Sequence, residues 1–225
     1  MSYFNNLFFG IYPYIAIFVC IIGCWIRFDR EPYTWKAGSS QMLSSKGMRL
    51  GSNLFHVGVI FILMGHFFGL LMPESIYHVF ISTENKQLLA MVSGGVFGLI
   101  CLVGLVILLK RRLTDARVRA TSSNSDIFIL VLLLVQLILG LLTIVASASH
   151  MDGSVMVLLA TWAQSIVTFQ SVQAAEAMVT VGAIYKLHVF VGLTMILVFP
   201  FTRLVHIISV PVWYLGRRFQ IVRQR

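Results

Sequence analysis

Four histidines stand inside long apolar runs of the sequence: His56 and His66 in one run, His188 and His206 in another. Ionisable side chains in such runs are costly and mark functional sites. Neutral imidazole is a transition-metal ligand and the usual axial ligand of a b-type haem. Two histidines on each of two antiparallel helices pair by depth, His66 with His188 and His56 with His206. The natural product is a pair of bis-histidine sites stacked one above the other, each suited to one non-covalent haem. No Cys-x-x-Cys-His occurs, so c-type attachment is not expected.

The residues alone leave other readings open. The histidines could be hydrogen-bonded core groups, a zinc site, or a proton relay in a small transporter or channel. Zinc would want ligands at one depth with carboxylates or thiolates nearby. The apolar runs hold no carboxylate at that position, and Cys20, Cys24 and Cys101 lie in other runs. His78 and His150 fall at or beyond helix ends and read as interfacial polar residues.

The elements that position these histidines follow from composition. Of 225 residues, 58% are hydrophobic and only 11% charged, where a soluble domain carries roughly 25% charge. A bilayer core of ~30 Å needs about 20 apolar residues of helix. Five runs qualify: Phe8–Ile26, Gly51–Met72, Leu88–Leu109, Ile127–Ala148 and Gly182–Ile208. The expected fold is all-α, a five-transmembrane-helix bundle spanning residues 1–208, with a basic tail at 209–225. The first run has no preceding Lys or Arg and no Ala-x-Ala-like exit, so it is expected to be retained as a span.

The net charge of +9 is a topology signal rather than a nucleic-acid footprint. Arg27, Arg30, Lys36, Lys46 and Arg49 fill the first connection; Lys110, Arg111, Arg112, Arg117 and Arg119 fill the third; Arg217, Arg218, Arg223 and Arg225 lie in the tail. The second holds only Lys86, with Glu74 and Glu84, and the fourth, Ser149 to Val181, has no Lys or Arg. Basic loops stay cytoplasmic, which predicts the N-terminus outside and the C-terminus inside.

The spacing carries a mismatch. Ten residues from His56 to His66 rise ~15 Å, whereas eighteen from His188 to His206 rise ~27 Å on a straight helix. Pro200 lies between the latter two and is expected to kink the helix. Gly58, Gly65 and Gly69 form one stripe that would let a flat macrocycle approach, and Gly94 with Gly98 forms another that reads as helix packing. Arg112 and Arg203 on the inner side and Lys186 on the outer side are candidate cations for haem propionates, or snorkelling residues.

Several stretches together resemble a known family. They are Asn53-Leu-Phe-His56 continuing through Met64-Gly-His66-Phe-Phe-Gly69; Tyr33-Thr-Trp-Lys with Ser39-Ser-Gln-Met-Leu; Lys110-Arg-Arg-Leu with Arg117-Val-Arg-Ala; His150-Met-Asp-Gly-Ser; and Phe201-Thr-Arg-Leu-Val-His206 with Ser209-Val-Pro. The pattern resembles the membrane γ subunit of respiratory nitrate reductase, a dihaem cytochrome b, over most of the chain; the stretch from Gln170 to Val181 departs from it. The resemblance implies that His66 and His188 hold a distal haem and His56 and His206 a proximal one. It implies oxidation of ubiquinol or menaquinol near the outer face, with Lys86, Gly65 and His66 at the quinol site. Electrons would leave to an iron–sulfur β subunit and a molybdenum α subunit on the cytoplasmic face of the bacterial inner membrane. Lys86 alone would read as a solvated loop lysine; only the resemblance makes it a quinol-site residue.

Overall fold

The structure, a computed structural model, describes residues 3–149, 151–209 and 216; His150 and the tail arginines Arg217, Arg218, Arg223 and Arg225 lie outside them. Among the described residues every regular element is helical, and five helices are long and apolar enough to cross a membrane. They are α1 (Tyr3–Arg30), α2 (Met48–Leu71), α4 (Thr83–Thr114), α6 (Asn124–Ser147) and α9 (Ala183–Val198, continued to Phe201 by a 3₁₀ turn). Shorter helices join them: α3 (Glu74–Tyr77), α5 (Ala116–Ala120), α7 (Ser154–Val167) and α8 (Ser171–Ala177). The end of the bundle carrying α3, α7 and α8 is called the upper end below. The basic connections 31–47 and 115–123 are at the lower end.

Helix starts and stops follow local chemistry. Ser82 caps α4 by accepting from the Asn85 N–H at 3.3 Å, and Ser123 with Asp126 closes a reciprocal capping box on α6. The N-terminal helix opens into a π turn at Leu7–Ile11, and the Phe9 carbonyl there accepts from Trp162 Nε1 at 3.0 Å.

Helix α2 packs on α4 along a seam of small residues. A Cβ at Gly104 would lie 2.3 Å from the Phe55 N, and one at Gly58 would lie 2.6 Å from the Cys101 Cβ. Without a hydrophobic drive between helices in lipid, such close approach is what holds them. Gly58 therefore belongs to the α2–α4 seam and leaves the expected stripe, whereas added Cβ atoms at Gly65 and Gly69 would meet nothing within 4 Å. Gly98 does pack a neighbouring helix, as expected, with an added Cβ 2.7 Å from Leu141.

Two features depart from expectation. The fourth connection is no plain loop: it contains α7, fourteen residues long and too short to span, and then α8. Gln164 of α7 donates to the Leu70 carbonyl at 3.1 Å and the Met72 carbonyl at 3.4 Å, so it satisfies the open end of α2. The last apolar run is also not one helix. Regular α-helix ends at Val198; 3₁₀ turns at Phe199–Phe201 and Arg203–Ser209 flank the extended Thr202. His188 to Val198 is ten residues of helix, rising the same ~15 Å as His56 to His66. The chain beyond Val198 leaves the straight α-helix, so the ~27 Å expected from eighteen continuous helical residues does not apply.

Because the Phe55 N–H and Gly104 approach so closely, Gly104→Val is expected to cost about 1–3 kcal/mol or more of stability. Gly95→Ala, where an added Cβ meets nothing within 4 Å, is expected to be neutral or mildly stabilising. Thermal melting of the detergent-solubilised protein measures both.

Candidate functional site

The four histidines assemble into two facing pairs. The rings of His66 and His188 stand 6.1 Å apart between centroids at the upper end, and those of His56 and His206 stand 6.4 Å apart at the lower. The helices behind them are held separately: α2 packs on α4 and α7, and α9 packs on α1 and α6. The imidazoles thus reach toward each other across a slot between α2 and α9.

Three of the four share one device. His56 Nδ1 donates to the Ser52 carbonyl at 2.7 Å, His66 Nδ1 to the Ile62 carbonyl at 2.8 Å, and His206 Nδ1 to the Arg203 carbonyl at 2.5 Å. Each bond fixes the tautomer, places the proton on Nδ1 and leaves the Nε2 lone pair for a ligand bond. The acceptor lies one turn back on the same chain, so each ligand is oriented by its own backbone.

His188 differs. Its Nδ1 is buried with no partner among the described residues, and its Nε2 lies 3.5 Å from Gln136 Nε2. Its ring sits against Gly140 of α6, where an added Cβ would be 3.1 Å from Cε1. Gly140 and Gln136 escape sequence reading because they lie on a helix without histidines. Their one signal is the polar Gln136 inside an otherwise apolar run.

The spacing fits a metal centre between each pair. Two metal–imidazole bonds of about 2 Å each, with the ring radii at either end, span about 6 Å. Among the described residues no three His, Cys, Asp or Glu groups converge, so the four protein donors of a structural zinc site are not gathered. Two imidazoles on opposite sides of one position suit an iron whose other ligands come from a macrocycle.

Arg112 and Arg203, expected as propionate cations, both have protein partners. Arg112 donates to Ser122 Oγ at 2.9 Å and pairs with Asp126 Oδ2 at 3.2 Å. Arg203 Nε stands 3.7 Å from the other oxygen of Asp126, and its Nη2 donates to the Gly38 carbonyl at 2.8 Å. They line a polar cavity of ≈ 410 Å³ with Arg27, Lys36, Ser39 and Asp126. Asp126 escapes sequence reading; its role as counter-ion to both arginines requires the fold. Lys186, at the upper end, donates to the Val179 carbonyl at 3.1 Å. His78 pairs with Glu74 at 3.2 Å.

Residues 5–225 match the family described as nitrate reductase gamma subunit. The chain belongs to that family. It is 54% identical over 225 residues, the full length of both chains, to the respiratory nitrate reductase 1 gamma chain of Escherichia coli K12. It is 50% identical to the respiratory nitrate reductase 2 gamma chain of the same organism over 100% of this chain and 99% of that one. The nitrate reductase gamma chain of Bacillus subtilis 168 is 36% identical, over 98% of this chain and 99% of its own. Its five apolar helices make this gamma-subunit relative a multi-pass membrane protein.

Gly140 leaves little room beside the His188 ring. If each facing pair holds a haem, Gly140→Val is expected to drive that imidazole off its line to His66 and to remove about half of the haem content. On the same condition Gly140→Ala, which asks the ring to yield a few tenths of an ångström, should keep the parent haem content with a shifted spectrum. Pyridine haemochrome content and the visible spectrum of the purified protein report both outcomes.

Proposed function

We propose that this chain is the quinol-oxidising cytochrome b subunit of a respiratory nitrate reductase, set in the bacterial inner membrane with its upper end outside and its lower end in the cytoplasm. The observation that carries this reading is the stacking of two facing histidine pairs at two depths. In this reading His66 and His188 hold the distal b haem and His56 and His206 the proximal one. When bound, each haem supplies a one-electron carrier, and the two divide a path across ~30 Å of hydrocarbon into shorter transfers.

The chain's own residues set the conditions. The backbone carbonyls of Ser52, Ile62 and Arg203 hold the Nδ1 proton of three ligands and aim their Nε2 atoms. Lys86, near the start of α4, and Gly65 with His66, near the end of α2, lie toward the upper end of adjacent helices. There Lys86 donates a hydrogen bond to a quinol oxygen, and quinol protons leave to the outer face. Arg112 and Arg203 bring positive charge to the lower pair, with Asp126 as their counter-charge.

Net inward movement of electrons, with proton release outside, stores energy at ~2.3 kcal/mol per charge per 100 mV. The basic lower end supports the cytoplasmic assignment and offers a surface for the iron–sulfur β subunit, which passes electrons to the molybdenum α subunit where nitrate is reduced. The domain reading follows: residues 1–208 as the haem-bearing membrane domain and 209–225 as a cytoplasmic tail.

A reduced-minus-oxidised spectrum of membranes holding the protein tests this reading. The parent should show b-type bands from two components. His66→Ala should remove the distal component and leave the proximal one, and His56→Ala the converse. A colourless parent, or equal loss of both components in a folded single variant, would contradict the pairing.

A further inference from the structure

Lys86, one of the quinol-site candidates, has surroundings that are unusual for a cation. The residue is 9% exposed, and its Nζ is buried with no hydrogen-bond acceptor among the described residues. What holds the ammonium is an aromatic face: Nζ stands 3.6 Å from the centroid of the Tyr77 ring. Tyr77, on the short helix α3, is itself only 5% exposed.

The ring is fixed from several directions. Its hydroxyl shares a hydrogen bond with Thr83 Oγ1 at 3.3 Å, and Thr83 in turn meets His78 Nε2 at 2.9 Å. His78 pairs with Glu74, whose carboxylate also acts on Lys86 through space without a direct hydrogen bond to it. A ring face attracts a cation through its quadrupole without consuming an N–H. A carboxylate in the same place would neutralise the ammonium and occupy its donors. Held on the ring, Lys86 is desolvated and has no N–H committed to a protein acceptor among the described residues.

We infer that Tyr77 is a positioning residue for quinol oxidation, and that its ring face holds the Lys86 ammonium ready to donate to a quinol oxygen. This rests on the reading of Lys86 as quinol-binding. Donation from a preset cation favours the oxygen that gains negative charge as its proton departs. Tyr77 touches Lys86 and acts through it.

The test is a steady-state assay of the whole complex in membranes with duroquinol as donor and nitrate as acceptor. Tyr77→Leu is expected to raise the KM for duroquinol about tenfold with a smaller change in kcat, and to leave the reduced-minus-oxidised spectrum as in the parent. Tyr77→Phe keeps the ring and should stay within about twofold of the parent KM. Fluorinated phenylalanines at position 77 preserve shape while weakening the quadrupole, so KM should climb with each added fluorine; this series serves even if the leucine variant fails to fold. A flat fluorine series overturns the inference, as does a parent KM in Tyr77→Leu when Lys86→Ala has raised it. A parent KM in Lys86→Ala overturns the assignment of Lys86 and this inference together.

Discussion

In hydrocarbon, a broken helix exposes carbonyls with no water to receive them, so irregular backbone survives only where protein supplies the donors. Pro200 creates that situation at the foot of α9. It removes one N–H and obliges the chain to leave the α-helix, and the Pro200 and Thr202 carbonyls then point away from any ladder. Arg27 of α1 answers both: its Nη1 donates to Pro200 O at 2.6 Å and Thr202 O at 2.8 Å, while Nη2 binds the Thr34 carbonyl at 2.9 Å. Gly23, one turn above, makes room for the proline ring, since a Cβ there would lie 2.7 Å from Pro200 Cγ. One guanidinium thus joins the first span, the first basic connection and the end of the last span. His206 meets His56 because that junction holds.

The lower end repeats this economy of donors. Arg111 is buried and binds the Ser40 hydroxyl at 2.6 Å, the Ser40 carbonyl at 2.8 Å and the Ser44 carbonyl. It ties the 31–47 connection to the foot of α4, as Arg27 ties it to α9. Basic residues that read as topology signals are therefore also structural. They supply donors to backbone that has left regular helix, at the depth where water begins.

Much of this was legible in the sequence because membrane spans are governed by length and hydropathy. Four spans lie where the apolar runs put them and the fifth begins where expected but leaves the α-helix at Val198, and the pairing of His66 with His188 and His56 with His206 follows from antiparallel order alone. Illegible features depend on contacts between distant residues. Helix α7 is apolar but too short for the span criterion, and its partners lie on α1, α2 and α9. The full break at Pro200 could be foreseen as a kink, but not the extended Thr202 that follows it. Gly140 and Asp126 gain their roles from neighbours 48 and 77 positions away, His188 and Arg203 respectively. No local pattern encodes such pairings.

Helix α7 also bears on how the chain is made. At fourteen residues it cannot be retained in the bilayer by its own length. The surfaces that cover it come from the beginning and the end of translation: Phe9 near the N-terminus, Leu70 and Met72 at the top of α2, and Met178, Val181 and Tyr185 at the approach to the fifth span. Its apolar face has no complete home until α9 has inserted and closed the ring. Seating of α7 is thus a late event in biogenesis, coupled to the same insertion that brings His188 opposite His66.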